Sequence, residues 1–206
     1  MFDLHLIHIL NNAIKYYATS RELFDPLFPN ISDAMRQRMF QALQTNKVSF
    51  DTAFAQRKAS SFPIITVENN EQFYDSQALG DSSGVLQDNF GRKVMFNHIF
   101  TSQEAVINIL AETQEQVRMY QAIIQAAMLI FKPYLFKAGY ENLLYIGSTQ
   151  LEAEPMLLEK GSAAYSRQCR YAALHHTIIP VHLDSVAEVG AALPDYQVVI
   201  NNHGGN

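Results

Sequence analysis

The feature that most constrains the fold is a short alternating segment that leads directly into a long amphipathic helix. Residues 105–111 alternate in character, and Ile107 and Ile109 share one side of an extended chain, which is the period-two pattern of a pleated strand. Thr113 and Gln116 then form a capping box, in which the two side chains can satisfy unpaired amide groups at the helix start reciprocally.

The residues after Thr113 predict the long helix itself. Apolar side chains recur at helical spacing and form a stripe along one side of the helix: Val117, Tyr120, Ile124, Ala127, Met128 and Phe131. Pro133 is expected to break or kink the helix near its end. Because such a stripe must be buried, and strands precede and follow it, the segment predicts an α+β fold with a sheet packed against a long central helix.

Residues 1–58 are predicted to form an N-terminal helical arm. A first helix is expected over residues 2–18, where apolar side chains fall on one side. Ser32 is expected to cap a second helix that ends near Gln44. The alternating residues 48–54 fit either a short strand or a helical turn.

Residues 59–206 are predicted to form the α+β domain, and its sheet is expected to be mainly antiparallel. A strand begins at Phe62, and the polar residues 69–89 are predicted to be a long loop, which in a compact domain is usually functional or mobile. A strand over residues 91–100 and a tight connection at Thr101–Glu104 predict a hairpin with the next strand.

Further strands are predicted after the central helix. They cover Leu143–Glu152 and Ser166–Leu183, with a glycine-containing loop near Gly161 between them. The alternating residues 196–200 fit a last edge strand.

Composition excludes some classes of function. The chain has 206 residues and a formal net charge of -5, and its Lys and Arg residues are not clustered. A protein that grips duplex DNA normally neutralises phosphates with a basic surface, so sequence-specific DNA binding is not expected. No apolar run approaches the ~18 residues of a membrane span, and no membrane association is expected. The single cysteine, Cys169, is predicted to be a buried, inert thiol.

The histidines are the first candidates for metal binding. Neighbours in a strand point to opposite sides, so His175 and His176 cannot chelate one ion together. His182 shares a side with His176 but lies roughly 20 Å away in an extended chain, too far for one zinc ion. His5 and His8 are three residues apart on the first helix, but no third ligand accompanies them.

Other candidate groups also lack the partners that catalysis requires. Glu152 and Glu154 alternate along a strand without a nearby nucleophile, which is typical of a solvated face. The segment Gly80–Gly84 lacks the Lys-Ser/Thr of a phosphate loop, and Ser82 and Ser83 lack an accompanying histidine. The sequence therefore predicts no catalytic, cofactor-binding or metal-ligating residues, and no enzyme.

Two tyrosines near the end of the central helix are candidates for a different role. Tyr134 and Tyr140 belong to an aromatic cluster that suits either core packing or the anchors of an oligomer interface. We select both as candidate anchors.

Three segments carry a resemblance to a known family. Phe62–Val67, the strand and helix entry at Val106–Thr113, and the helix start with Glu115 and Arg118 resemble the tail-terminator and neck (head–tail joining) proteins of tailed bacteriophages. The resemblance covers roughly residues 60–183, and its motifs are patterns rather than invariant signatures.

The resemblance implies a structural virion protein that assembles in the host cytoplasm. Subunits of this family form a ring, often a hexamer, that joins the tail tube to the head and surrounds the DNA channel. Its expected partners are tail tube, sheath and head-completion or connector proteins, while genomic DNA passes without sequence-specific binding. The alternatives are another head-completion, tube or baseplate component, or a small enzyme with a site near residues 69–89 and the His175–His182 strand.

Overall fold

A computed structural model describes residues 2–52, 62–73, 82–87, 93–154 and 164–182. Its elements are α1 (Phe2–Ala18), α2 (Arg21–Phe24) with a 3-10 turn (Asp25–Leu27), α3 (Asp33–Thr45), β1 (Ser49–Asp51), β2 (Ile64–Phe73), β3 (Ser82–Gln87), β4 (Lys93–Ala111), α4 (Gln114–Ile130), α5 (Lys132–Lys137), β5 (Tyr140–Ser148), β6 (Glu152–Glu154) and β7 (Ala164–His182). Two compact units are distinguished, one comprising residues 1–72 and 101–175 and the other residues 73–100 and 176–206. The structure confirms the predicted α+β class.

The sheet has the strand order β1-β2-β4-β7-β5, with β3 paired to β4 and β6 paired to β7. β5 and β6 pair antiparallel with β7, and β3 pairs antiparallel with β4. β1 pairs parallel with β2, so the sheet is mixed. Of the two alternatives for residues 48–54, the structure shows the strand, because Ser49–Asp51 forms β1. Residues 53 and 54 lie outside the described residues.

Helix α4 is the central helix that the sequence predicts. The hydroxyl of Thr113 accepts a hydrogen bond from the backbone N–H of Gln116 at 3.2 Å, so the first half of the predicted capping box is present. The buried face of the helix contains Val117, Met119, Tyr120, Ile123, Ile124, Ala127 and Met128. This face shares one apolar cluster with Ile65 and Ile107 of the sheet. The helix therefore buries its stripe against strands, as the pattern predicts.

The predicted N-terminal helices are present, and they contribute to the same core. α1 and α3 both contact α4, and Phe2, Leu6 and Phe40 belong to the apolar cluster that contains Ile107. Helices α1 to α3 therefore pack on the sheet domain through buried side chains rather than extending from it as a solvent-exposed arm.

Arg21 ties the short helix α2 to the start of α3. Its guanidinium lies 2.9 Å from the Asp25 carboxylate and 2.6 Å from the Asp33 carboxylate. The hydrogen bond and positive charge of Arg21 lower the pKa of Asp33. α3 begins at Asp33, and the side chain of the preceding Ser32 makes no capping hydrogen bond. The ion pair with Arg21 therefore helps to hold the first turn of α3 in place of a side-chain cap.

The hairpin predicted around Thr101–Glu104 is wrong, because β4 runs through these residues without a turn. Thr101 and Gln103 are buried, Gln103 donates to the Thr101 hydroxyl at 3.2 Å, and Asn69 donates to the Gln103 side-chain oxygen at 2.8 Å. Polar residues suggested a loop, but their side chains bond to one another within the first unit. The segment also contains no glycine or proline that would favour a turn.

The long loop predicted at residues 69–89 is also partly wrong. Residues 69–73 continue β2, and residues 82–87 form β3, which pairs with β4. Backbone pairing to a neighbouring strand overrides the low strand propensity of the Ser, Gly and Asn residues here. The rest of the predicted loop lies outside the described residues.

The strands after α5 confirm the predicted order with shifted bounds. β5 starts at Tyr140, and Glu152 belongs to the separate strand β6. The predicted loop at Gly161 and edge strand at residues 196–200 lie outside the described residues. No helix in the described part of the chain has the length and apolarity needed to cross a membrane.

Candidate assembly interface

Exposed apolar side chains are concentrated at the end of α4, in α5 and on both sides of β5 in the first unit. These side chains are 41% to 77% exposed: Leu129, Ile130, Tyr134, Phe136, Leu144, Tyr145 and Ile146. We call this set the 129–146 surface. Soluble domains rarely expose so many large apolar side chains in one short segment, and such surfaces mark binding sites.

The chain forms this surface by turning back after α4. Phe131 ends α4, and Pro133 lies in the first turn of α5, where its missing N–H costs no helical hydrogen bond. Gly139 has a φ of 87°, which a residue without a Cβ adopts easily, and it ends the turn before β5. Only Leu135 of α5 is buried, so the remaining apolar side chains of this short helix face outward.

β5 lies at one end of the sheet order and, among the described strands, pairs only with β7. Residues 142–148 contain no charged side chain. Natural edge strands usually carry charges or prolines that prevent further pairing. Apart from Glu141 near its start, this edge has neither, although two register shifts interrupt its pairing with β7. The β5 edge is therefore suited to accept another strand.

A groove of about 320 Å³ lies between α4 and β5. Its lining consists of five apolar or aromatic side chains, together with Gln125 and Lys132: Met128, Leu129, Leu143, Tyr145 and Tyr171. The rings of Tyr145 and Tyr171 are tilted against each other with centroids 5.2 Å apart. Burial raises the pKa of Tyr171, whose hydroxyl has no hydrogen-bond partner among the residues that the structure describes. Apolar side chains therefore form most of the groove lining.

The two tyrosines predicted as anchors have different environments. Tyr134 is exposed at the rim of the surface, where its hydroxyl lies 3.4 Å from Nδ1 of His5. Tyr140 is buried, with its ring centroid 4.7 Å from that of Phe2 and 4.6 Å from that of His175. Tyr134 thus remains a candidate anchor, whereas Tyr140 packs in the core and is corrected to a structural role.

The candidate histidines take part in local contacts. The His175 ring stacks on Tyr140, and the His176 ring stacks on Phe100 with centroids 4.4 Å apart. His8 lies within hydrogen-bond distance of Asn12, at 2.9 Å. In the part of the chain that the structure describes, no three His, Cys, Asp or Glu side chains come together as metal ligands would.

The remaining candidates are placed as follows. Glu152 is exposed on β6, and Ser82 and Ser83 lie in β3. Cys169 is buried, as predicted, and burial raises the pKa of its thiol to about 11.

Sequence reasoning missed most of the 129–146 surface, although one signal pointed to it. Leu143–Ile146 is a run of four apolar residues in a strand, which places apolar side chains on both sides of that strand. Only one side of an edge strand next to α4 can face the core, so the apolar side chains on its other side stay exposed in the subunit.

No protein-family model matches the chain, and no curated protein matches it.

Proposed function

We propose that the protein is a ring-forming structural subunit of a phage tail or neck, a tail terminator that joins the tail tube to the head around the DNA channel. The observation that carries the assembly role is the 129–146 surface. The phage assignment follows from the family that Phe62–Val67 and Val106–Thr113 resemble. In this role the protein performs no chemistry, and its function depends on the interfaces between subunits.

The size of the surface supports an assembly role. The aromatic members, Tyr134, Phe136 and Tyr145, present about 300 Å² at roughly half exposure, because such side chains bury ~150–250 Å² each. Four Leu and Ile side chains add further apolar area: Leu129, Ile130, Leu144 and Ile146. A standard protein–protein interface buries ~800 Å² on each partner. These side chains therefore supply a substantial share of the apolar area that an interface needs, and a closed ring forms such a contact once per subunit.

The charge of the chain supports passage of DNA through the ring without retention. Its formal net charge is -5, and a channel that bound phosphates through Lys and Arg would retain the genome. Tail tube, sheath and head-completion proteins are the proposed neighbours, and a hexamer is the proposed stoichiometry. A head-completion, tube or baseplate component would use the same kind of surface but assemble with other neighbours.

The test measures assembly in solution. Light scattering after size exclusion at several concentrations, alone and with tail-tube subunits, should give the mass of a closed oligomer, and electron microscopy should show rings. A protein that stays monomeric and does not bind tube subunits at any concentration would overturn the proposal. An oligomer that binds baseplate or head proteins instead of tube ends would indicate that the protein occupies another position in the virion.

The chain offers a matched pair of variants for this test. Tyr145 and Tyr16 are 45% and 46% exposed, and each ring packs on a buried tyrosine with centroids 5.2 and 5.3 Å apart. Tyr145→Ser should weaken assembly by roughly tenfold or more, because aromatic residues dominate interface energies. Tyr16→Ser, on α1 and outside the 129–146 surface, should leave it unchanged. Equal effects of the two variants would mean that this surface has no special role.

A further inference from the structure

We infer that the 129–146 surface binds a second copy of this chain head to tail, with β5 adding to the β1 edge of that copy. The inference rests on the proposed ring and deepens it, because it names the two surfaces that meet. A ring requires each subunit to present two different complementary surfaces, since a contact between two identical surfaces closes as a dimer.

The sheet supplies two such surfaces at the opposite ends of its strand order. β5 lies at one end and β1 at the other, and within the described residues each pairs with a single neighbouring strand. Strand addition to a free sheet edge provides main-chain hydrogen bonds together with pockets for side chains. Pairing β5 with β1 would therefore continue the sheet from one subunit to the next.

The backbone of β1 is oriented for this pairing. The N–H of Ser49 donates to the carbonyl of Pro63 at 3.1 Å, and Ser49 is in register with Ile64 of β2. Both backbone polar groups of a strand residue point to the same side, and successive residues alternate, so those of Phe50 point away from β2. The Phe50 side chain is partly buried against the core, which holds β1 in place as an edge.

Charge disfavours a two-fold contact between two copies of this region. From Leu129 to Ser148 the charged residues are Lys132, Lys137 and Glu141, so this region is weakly basic in a chain whose formal net charge is -5. A two-fold contact would bring the lysines of two copies towards each other. The β1 edge is flanked by Lys47 and Asp51, one charge of each sign, so a contact there brings no like-charged cluster together.

Cysteine crosslinking tests this arrangement. Leu144→Cys places a thiol on the exposed face of β5, and Ser49→Cys places one on the exposed edge strand β1. The double variant treated with a short bis-maleimide should give a ladder of dimers, trimers and larger species up to the closed ring. A mixture of the two single variants should stop at dimers, and each single variant alone should give none. The parent chain is the background control, because its only cysteine is buried.

Each other outcome has a defined meaning. Dimers from the Leu144→Cys variant alone would show a two-fold contact and overturn the inference. A ring detected by light scattering without a ladder would also overturn it, while the proposed function would stand. A monomer in both assays would reject the proposed function itself. Circular dichroism checks that each variant is folded. If the pair Leu144→Cys with Ser49→Cys misfolds, the pair Ile146→Cys with Lys47→Cys replaces it.

Discussion

Two faces of helix α4 contain similar residues in opposite environments. Ile124 is 1% exposed, whereas Leu129 is 77% exposed only five positions later. At about 100° per residue, Leu129 lies about 140° around the helix from Ile124 and so leaves the buried stripe. The comparison shows that helical phase, rather than hydrophobicity, decides which apolar residues face the core. An apolar residue outside that phase is therefore available to a partner.

The largest expected effect is the replacement of a residue in the buried stripe. Ile124→Asp would place an unpaired charge against the sheet and should cost several kcal/mol, enough to unfold a marginally stable domain. Circular dichroism and urea denaturation measure the loss directly.

Leu129→Asp is the matched control on the same helix. Its carboxylate would remain in water, so the free energy of unfolding of the subunit should change by less than about 0.5 kcal/mol, while ring assembly is lost. A soluble, cooperatively folded Ile124→Asp protein would show that the stripe is wrongly assigned. Unfolding by Leu129→Asp would place Leu129 in the core.

The second effect separates the two tyrosines at the end of the helix. Tyr140 is 3% exposed and Tyr134 is 41% exposed. Tyr140→Ala would leave a cavity next to Phe2 and His175 and should cost about 3 kcal/mol of folding stability. Tyr134→Ala should change stability little and weaken assembly instead.

Urea denaturation and light scattering on both tyrosine variants distinguish the two roles. Normal assembly of the Tyr134→Ala variant would remove Tyr134 from the candidate anchors. A stable Tyr140→Ala variant that fails to assemble would reverse the assignments of the two residues.

The same contrast explains how much of the structure could be predicted from the sequence. The central helix, its Thr113 cap and its Ile124 stripe are local patterns, and the structure confirms them. The continuity of β4 through Gln103 is not local, because β4 pairs with β2 and β7, and Gln103 accepts a hydrogen bond from Asn69, 34 positions earlier in the chain. Local polarity therefore predicted a turn where long-range pairing forms a strand.

The candidate interface was predictable only in part. The sequence indicated aromatic anchors but could not separate Tyr134 from Tyr140, because their burial depends on how α1 packs against α5 and β5. The exposure of Leu144 depends on β5 being an edge strand, which is a property of strand order rather than of sequence. Helical phase and strand alternation are encoded locally, while the location of the edges is set by the whole sheet.

The smallest expected effect is a difference in labelling rate between a thiol in the core and a thiol on the surface. Burial raises the pKa of Cys169 from 9.0 to about 11, and a shift of two units reduces the reactive thiolate at pH 8 by about 100-fold. An aromatic disulfide reagent should therefore label native Cys169 at least 100 times more slowly than the added thiol of Leu144→Cys, without a change in folding stability. Because the shift is upward, labelling of Cys169 should increase as the pH rises towards 11.

Urea provides the control, since both thiols should react at similar rates in the unfolded chain. Rapid labelling of native Cys169 at pH 8 would show that the first unit opens there, and the division into a closed core and an open interface would no longer hold.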